Sequence, residues 1–136
     1  LLSLVWRRVV PRARRKYYLA RAGGGADPAP MIVDWVTGAF FAIRREVFER
    51  LGGFDDRFFL YYEDVDLCLR ARCEGFPAYY VRAARAFHHN PYAGRSAPSQ
   101  ELKDIIGASR LSYFRKHRSS WEALSLQVLQ SLARAR

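Results

Sequence analysis

Residues 58–70 read FFLYYEDVDLCLR, an aromatic run followed directly by three carboxylates within four positions. Polar and apolar residues then recur at helical spacing, which predicts a helix over residues 63–74 that Gly75 ends. Asp66 and Arg70 are four apart and predict an ion pair on one face of that helix. This acidic helix behind an aromatic run is the feature from which we interpret the rest of the chain.

The flanking sequence predicts strands that alternate with helices. Its β-branched and aromatic residues, together with Gly and Pro stops, locate the boundaries. The predicted elements are a strand over 31–43, a helix over 44–51 stopped by Gly52-Gly53, a strand over 77–81, an extended piece over 84–88 and helices over 100–117 and 120–135. Such alternation is typical of α/β and α+β folds, and we expect an α/β fold.

Composition indicates one folded domain of modest size. The chain has 136 residues, of which 50% are hydrophobic and 15% aromatic, and this argues against disorder. The chain contains no run of about 20 apolar residues, so the sequence predicts no membrane-spanning helix. Cys68 and Cys73 stand five apart on the predicted helix, so we expect them to be reduced and unpaired.

We divide the chain into three segments by composition. Residues 1–30 are a basic segment ending in a Gly/Pro linker, residues 31–117 carry the folded domain, and residues 118–136 form an amphipathic helix. The chain begins with Leu1, and we expect its natural start to lie upstream. Its net charge of +10 is concentrated towards the two ends, which suits nucleic acid, nucleotide phosphates, an anionic membrane or merely a solvated surface.

The acids Glu63, Asp64 and Asp66 admit three interpretations. The free N–H groups of a helix N-terminus stabilise negative charge, so the acids could simply cap the helix. The preceding aromatic residues could instead exclude water and fit one carboxylate to act as a general base. Asp64-Val65-Asp66 also spells DxD, a pattern associated with divalent cations, but positions i and i+2 of a helix point to different sides.

Three other positions are candidate site residues. His88, at the end of the last extended piece, could be a metal ligand or an ordinary surface or core histidine. Thr37 and Gly38 could admit a ligand close to the backbone or pack against a strand. Trp35 could form a platform for a sugar ring, although the core is the commoner place for tryptophan.

Together these pieces resemble the C-terminal half of the GT-A catalytic domain of family-two inverting glycosyltransferases. The likeness is to the rhamnosyltransferase and galactofuranosyltransferase types that build bacterial cell-surface polysaccharides. It rests on VDWVTGAFFAIRREVFERLGGFDDRFFLYYEDVDLCLRARCEGF at residues 33–76, then AFHH at 86–89 and SYFRKH at 112–117. The resemblance therefore covers residues 33–117, with its motifs in the order and spacing of that family.

The resemblance implies a role for each candidate. Asp64 corresponds to the general base that takes the proton from the acceptor hydroxyl, and His88 to a ligand of the Mg²⁺ or Mn²⁺ that holds the donor diphosphate. The other implied roles are acceptor orientation or loop fixing by Glu63 and Asp66, contact with the donor sugar and acceptor by Trp35, Thr37 and Gly38, and contact with the diphosphate by Arg110, Arg115, Lys116 and His117.

The resemblance also implies what residues 1–30 lack. An intact enzyme of this kind begins with a nucleotide-binding half that carries its own metal-binding DxD, and residues 1–30 do not resemble it. We therefore expect this chain not to transfer sugar alone. Its expected partners are a nucleotide-sugar donor and a glycan or lipid-linked acceptor, in the cytoplasm or at the inner face of the cytoplasmic membrane. The alternative is a non-catalytic basic module that binds a membrane surface or nucleic acid, although no nucleic-acid-binding signature is found.

Overall fold

The computed structural model describes residues 29–87 and 99–134. The elements within these ranges are β1 (Met31–Val33), α1 (Arg45–Arg50), α2 (Glu63–Cys73), β2 (Ala78–Tyr80), α3 (Gln100–His117) and α4 (Ser120–Arg134). β1 and β2 pair antiparallel, with Val33 opposite Ala78. This small sheet followed by helices agrees with the predicted α/β class.

Local sequence signals define the ends of the helices. Gly52 and Gly53 both adopt φ of 73°, a left-handed conformation that glycine adopts without a Cβ penalty, and they turn the chain after α1. The Ser99 hydroxyl accepts the Leu102 N–H at 3.2 Å and caps α3. Ser119 and Glu122 exchange hydrogen bonds between side chain and backbone at the start of α4, which makes a capping box.

The buried core joins five of the six elements. α2 contributes two apolar side chains to it, and α3 and α4 pack against each other along the C-terminal part of the chain. The buried apolar residues are Val33, Val47, Phe58, Leu67, Ala71, Tyr113, Ala123 and Leu126. The buried side chains Leu67 and Ala71 therefore anchor α2, whose first turn carries Glu63 and Asp64.

The strand predicted over 31–43 was correct only for residues 31–33. The chain leaves β1 after Val33 and forms a turn in which the Phe40 N–H donates to the Thr37 carbonyl at 3.3 Å. β-branched composition indicated a strand over 31–43, but the Gly38 N–H bonds to a side chain of α2 instead of to a neighbouring strand. The extended piece predicted over 84–88 begins at a turn in which the Ala84 N–H donates to the Val81 carbonyl at 3.1 Å; its residues 84–87 belong to no strand, and His88 lies outside the described residues.

The helix predictions were confirmed to within a residue or two. The structure has the helices predicted over 44–51, 63–74, 100–117 and 120–135. Cys68 and Cys73 are both free, as predicted. The predicted amphipathic helix, α4, buries Ala123 and Leu126. Its larger apolar side chains lie exposed, and they are Trp121, Leu124, Val128, Leu129 and Leu132.

Candidate active site

Asp64 lies in the first turn of α2, partly exposed and fixed by backbone donors. The Gly38 N–H donates to Asp64 Oδ2 at 2.8 Å, and the Val65 N–H donates to Asp64 Oδ1 at 2.8 Å. Each carboxylate oxygen has a further lone pair, so these two bonds leave acceptor capacity for a proton. Asp64 is thus an oriented carboxylate that a ligand can approach.

Glu63 lies beside it with a buried oxygen. Glu63 Oε2 is buried and has no hydrogen-bond partner within residues 29–87 and 99–134. A Cβ built on Gly38 would lie 3.7 Å from Glu63 Oε1 and 3.8 Å from Asp64 Oδ2. Gly38 therefore faces both carboxylates across a narrow gap, and a larger residue would fill the space beside them.

The two residues before this pair adopt an uncommon backbone. Tyr61 and Tyr62 have φ of 67° and 71°, the left-handed region in which aromatic residues are rare. Each such residue costs about 1–3 kcal/mol, and such conformations concentrate at functional sites. The strained pair turns the aromatic run sharply into α2 and so determines where Glu63 and Asp64 emerge.

Asp66, two residues beyond Asp64, is fully buried among three basic side chains. Its Oδ2 accepts the Arg70 Nε–H at 2.7 Å, and its Oδ1 lies 2.6 Å from His117 Nε2 and 2.7 Å from Lys116 Nζ. Arg70 also donates to the carbonyls of Leu51 and Gly53, at 2.6 and 2.7 Å. The Asp66 cluster, consisting of Asp66, Arg70, Lys116 and His117, thus joins α2 to the end of α3 and to the turn after α1.

A second carboxylate extends this cluster. Lys116 Nζ also bonds to Asp55 Oδ2, and Arg57 forms a two-pronged ion pair with Asp55. The hydrogen bonds from Arg57 and Lys116 hold the pKa of Asp55 far below its ordinary value. Burial tends to raise the pKa of Asp66, but the hydrogen bonds from Lys116, His117 and Arg70 together lower it below 3.8. Both carboxylates are therefore ionised at neutral pH and neutralised by fixed cations.

Comparison with known proteins places these residues within one family. Residues 26–117 match the family described as Glycosyltransferase like family 2. The matched range contains Gly38, Asp64 and the whole Asp66 cluster. The chain belongs to this family. The predicted resemblance to a family-two glycosyltransferase, and with it the partial GT-A class, is confirmed.

Several curated proteins resemble this glycosyltransferase chain over part of their length. N-acetylglucosaminyl-diphospho-decaprenol L-rhamnosyltransferase of Mycobacterium tuberculosis is 32% identical over 97 residues, which are 71% of this chain and 32% of that protein. Rhamnosyltransferase WbbL of Escherichia coli is 43% identical over 72 residues, 53% of this chain and 27% of that protein. O-antigen biosynthesis protein RfbC of Myxococcus xanthus is 43% identical over 61 residues, 45% of this chain and 5% of that protein. The chain thus spans about a third or less of these relatives, and no solved structure matches it.

The structure brings only some of the predicted site residues together. Thr37, Gly38, Glu63 and Asp64 lie together, with the Thr37 hydroxyl accepting the Ala39 N–H at 3.4 Å. Asp66 and His117 meet in the buried cluster, and Arg115 donates to Gln127 of α4 at 3.0 Å. Trp35 is half-buried in the segment between β1 and Gly38, and Arg110 is half-buried on α3. The roles expected for all of them stay predictions.

The predicted metal ligand, His88, lies outside the described residues. Within residues 29–87 and 99–134, no three His, Cys, Asp or Glu side chains come close enough to hold a metal ion. Asp66 already neutralises fixed cations, so its carboxylate does not offer a second ligand beside Asp64. The described residues therefore do not form a metal site by themselves.

Sequence reasoning did not single out Ser109, Tyr113 or Asp55 as part of this region. The Ser109 hydroxyl donates to the Leu60 carbonyl at 2.8 Å, and the Tyr113 ring packs against Tyr62 with centroids 5.4 Å apart. The four-residue spacing of Ser109, Tyr113 and His117 was a readable signal, because it places them on one face of α3.

No helix in the described part of the chain is long and apolar enough to cross a membrane.

Proposed function

We propose that this chain provides the acceptor-side half of an inverting glycosyltransferase in which Asp64 is the general base. The observation that carries the proposal is the Asp64 carboxylate, which the Gly38 N–H orients at 2.8 Å and which is partly open to a ligand. A general base must come within hydrogen-bond reach of the proton that it removes, and an oriented, accessible carboxylate meets that need.

In the proposed reaction, an Asp64 oxygen takes the proton of the acceptor hydroxyl as that hydroxyl oxygen bonds to the anomeric carbon of the donor sugar. The bond from the anomeric carbon to the diphosphate oxygen breaks, and the nucleoside diphosphate leaves with the electron pair. Attack from the opposite face inverts the anomeric centre. Glu63, beside Asp64, would orient the acceptor, while Trp35, Thr37 and Gly38 would line the sugar side of the site.

The proposed substrates follow from the family and from the name of one relative. Membership of the family supports a nucleotide-sugar donor and a glycan or lipid-linked acceptor. One relative's name gives N-acetylglucosaminyl-diphospho-decaprenol and L-rhamnose, which favours a lipid-linked acceptor and a deoxysugar donor here as well. We place the reaction in the cytoplasm, at the inner face of the cytoplasmic membrane. Mg²⁺ or Mn²⁺, with His88 as ligand, belongs to this proposal for the intact enzyme, and no step above passes through it.

The test is transfer from a nucleotide sugar by the intact enzyme or complex that joins this chain to a nucleotide-binding half. We expect Asp64→Asn to lower kcat by roughly 10² to 10⁴-fold while the donor KM stays nearly unchanged. Asp104→Asn, the same chemical change at an exposed ion pair with Arg134, is the matched control. An Asp64→Asn enzyme that keeps its kcat would exclude Asp64 as the base.

The chain alone provides a second test. The match with the rhamnosyltransferase of Mycobacterium tuberculosis covers only 32% of that protein, and on this ground we expect no transfer by the isolated polypeptide. Sustained turnover of a nucleotide sugar by the purified chain, lost in Asp64→Asn, would contradict this part of the proposal and leave the role of Asp64 standing.

One observation favours peripheral membrane contact in addition. The exposed face of α4 carries Trp121, 78% exposed, and Leu132, 61% exposed, an apolar surface suited to an interface. We expect the chain to sediment with vesicles that contain anionic lipid, and Trp121→Ser with Leu132→Ser to reduce that fraction. Asp64→Asn separates the two functions, because vesicle binding should not respond to it.

A further inference from the structure

The inner face of α3 contacts the chain on both sides of the strained tyrosine pair. Ser109, Tyr113 and His117 follow one another at four-residue intervals, so their side chains form a single row along the helix. Ser109 and Tyr113 are buried, and His117 is largely covered. We call these three residues the α3 row.

Each residue of the α3 row contacts a different point of the segment 60–66. Ser109 Oγ donates to the Leu60 carbonyl at 2.8 Å, just before the strained pair. The Tyr113 ring lies against the ring of Tyr62, within the pair, and also 4.9 Å from the His117 ring. His117 Nε2 bonds to Asp66 Oδ1 at 2.6 Å, just after the two candidate carboxylates.

These contacts lie before, within and after the stretch that contains the two strained tyrosines, Glu63 and Asp64. Two consecutive tyrosines in the left-handed region persist only where the surrounding structure fixes them, and the α3 row fixes the chain before, within and after them. Asp64 and Glu63 lie between the second and third contacts. The α3 row touches neither carboxylate in any contact described above, so its influence on them passes through the backbone of segment 60–66.

We propose that Ser109, Tyr113 and His117 are positioning residues: they hold segment 60–66 in its strained shape and thereby keep the Asp64 carboxylate on the Gly38 N–H. The geometric part of this inference stands by itself, while its consequence for the rate rests on the proposed role of Asp64 as base. His117 is then a support of the site and not a diphosphate contact.

The geometric part is tested on the full 136-residue chain by the amide resonance of Gly38 in an isotope-labelled sample. We expect the hydrogen bond from the Gly38 N–H to the Asp64 carboxylate to shift that resonance downfield, and Asp64→Asn to reveal the contribution of the carboxylate. We expect Ser109→Ala to move the Gly38 resonance in the same direction as Asp64→Asn, although Ser109 bonds to the Leu60 carbonyl and not to Gly38 or Asp64. Ser112→Ala, the same change on α3 at a residue outside the row, should leave it in place.

A variant that merely unfolds is recognised by far-ultraviolet circular dichroism, and milder variants then decide the question. His117→Gln retains a side-chain N–H for Asp66 and should keep the Gly38 resonance near its original position, whereas His117→Ala should shift it. If Ser109→Ala and His117→Ala both fold and leave the Gly38 resonance unmoved, the positioning role is overturned.

The catalytic consequence is tested by a double-mutant cycle in the intact enzyme. We expect Ser109→Ala to lower kcat roughly tenfold with the donor KM unchanged, and to cause no further loss once Asp64 is asparagine. An equal loss in both backgrounds would show that Ser109 acts on stability or on another group. If Asp64→Asn itself has no effect, the proposed function fails, and the Gly38 resonance still decides whether the α3 row positions Asp64.

Discussion

Replacing Asp66 by asparagine should lower the free energy of unfolding by about 3 kcal/mol. The carboxylate is 0% exposed and bonds to the cations of Arg70 and Lys116 and to the His117 ring at 2.6 to 2.7 Å, and removing one member of a buried ion pair costs about 3–5 kcal/mol. The low end applies because Lys116 keeps Asp55, and Arg70 keeps the Leu51 and Gly53 carbonyls. The asparagine NH₂ is itself a hydrogen-bond donor, and it would face the N–H donors that now bond to the Asp66 carboxylate.

Urea unfolding of the full chain, followed by far-ultraviolet circular dichroism, measures this loss. Asp104→Asn is the matched control, because Asp104 forms an exposed helix-to-helix pair with Arg134, and such pairs contribute about 0–1 kcal/mol. A difference of about 3 kcal/mol is a large share of the roughly 5–15 kcal/mol stability of a typical domain. If Asp66→Asn destabilises the chain no more than Asp104→Asn does, the cluster does not act as the ionic junction described above.

The pH dependence gives the same prediction a second measurement. The pKa of Asp66 in the folded chain lies below its ordinary value of 3.8, so its ionised form stabilises the fold. That contribution is complete above the unfolded-state pKa and is lost as the pH falls through the folded-state pKa. The stability difference between the original chain and Asp66→Asn should therefore be constant near neutrality and shrink in acid below pH 3.8. A difference that grows in acid would refute the sign of this linkage.

Three further outcomes follow from single positions. Gly38→Ala should change the free energy of unfolding by less than about 1 kcal/mol, because its added Cβ meets only ordinary contacts. Gly53→Ala should cost roughly 1–2 kcal/mol, since Gly53 has φ of 73° and an added Cβ would lie 3.4 Å from a Phe48 ring carbon; urea unfolding compares the two glycines. Burial raises the pKa of the Cys68 thiol, so a thiol reagent should label exposed Cys73 well before Cys68, as peptide mass analysis would show; equal labelling would contradict this.

The helices were predictable because their signals are local. Periodicity and stop residues located α3 over residues 100–117 and ended α2 at the residues before Gly75. The strand predicted over 31–43 was correct only for residues 31–33, because composition reports β-propensity and not the bonding partner. Gly38, in the middle of that run, bonds to Asp64, 26 residues along the chain, and this choice of partner is a tertiary effect.

The candidate site shows the same division. Sequence and resemblance singled out Asp64, Gly38 and His117, but no local signal gives their pairing. The resemblance implied that Lys116 and His117 contact the diphosphate. In the structure they bond to Asp66, which is 51 positions before His117, because a buried carboxylate requires neutralisation. The Asp66–Arg70 pair, four residues apart, was the one part of the cluster that spacing could predict.

The contrast between Asp64 and Asp66 follows from helix geometry. Residues two apart on an α-helix point about 200° from each other, so the two acids of the DVD sequence face opposite surroundings. Asp66 turns inward, where Arg70 and Lys116 neutralise it and the His117 ring bonds to it, whereas Asp64 turns towards Gly38 and accepts only from backbone N–H groups among the described residues. A metal-bridging pair needs both carboxylates on one side, and this helix separates them. The neutralised acid therefore fixes the first turn of α2, which leaves the other acid oriented and available for chemistry.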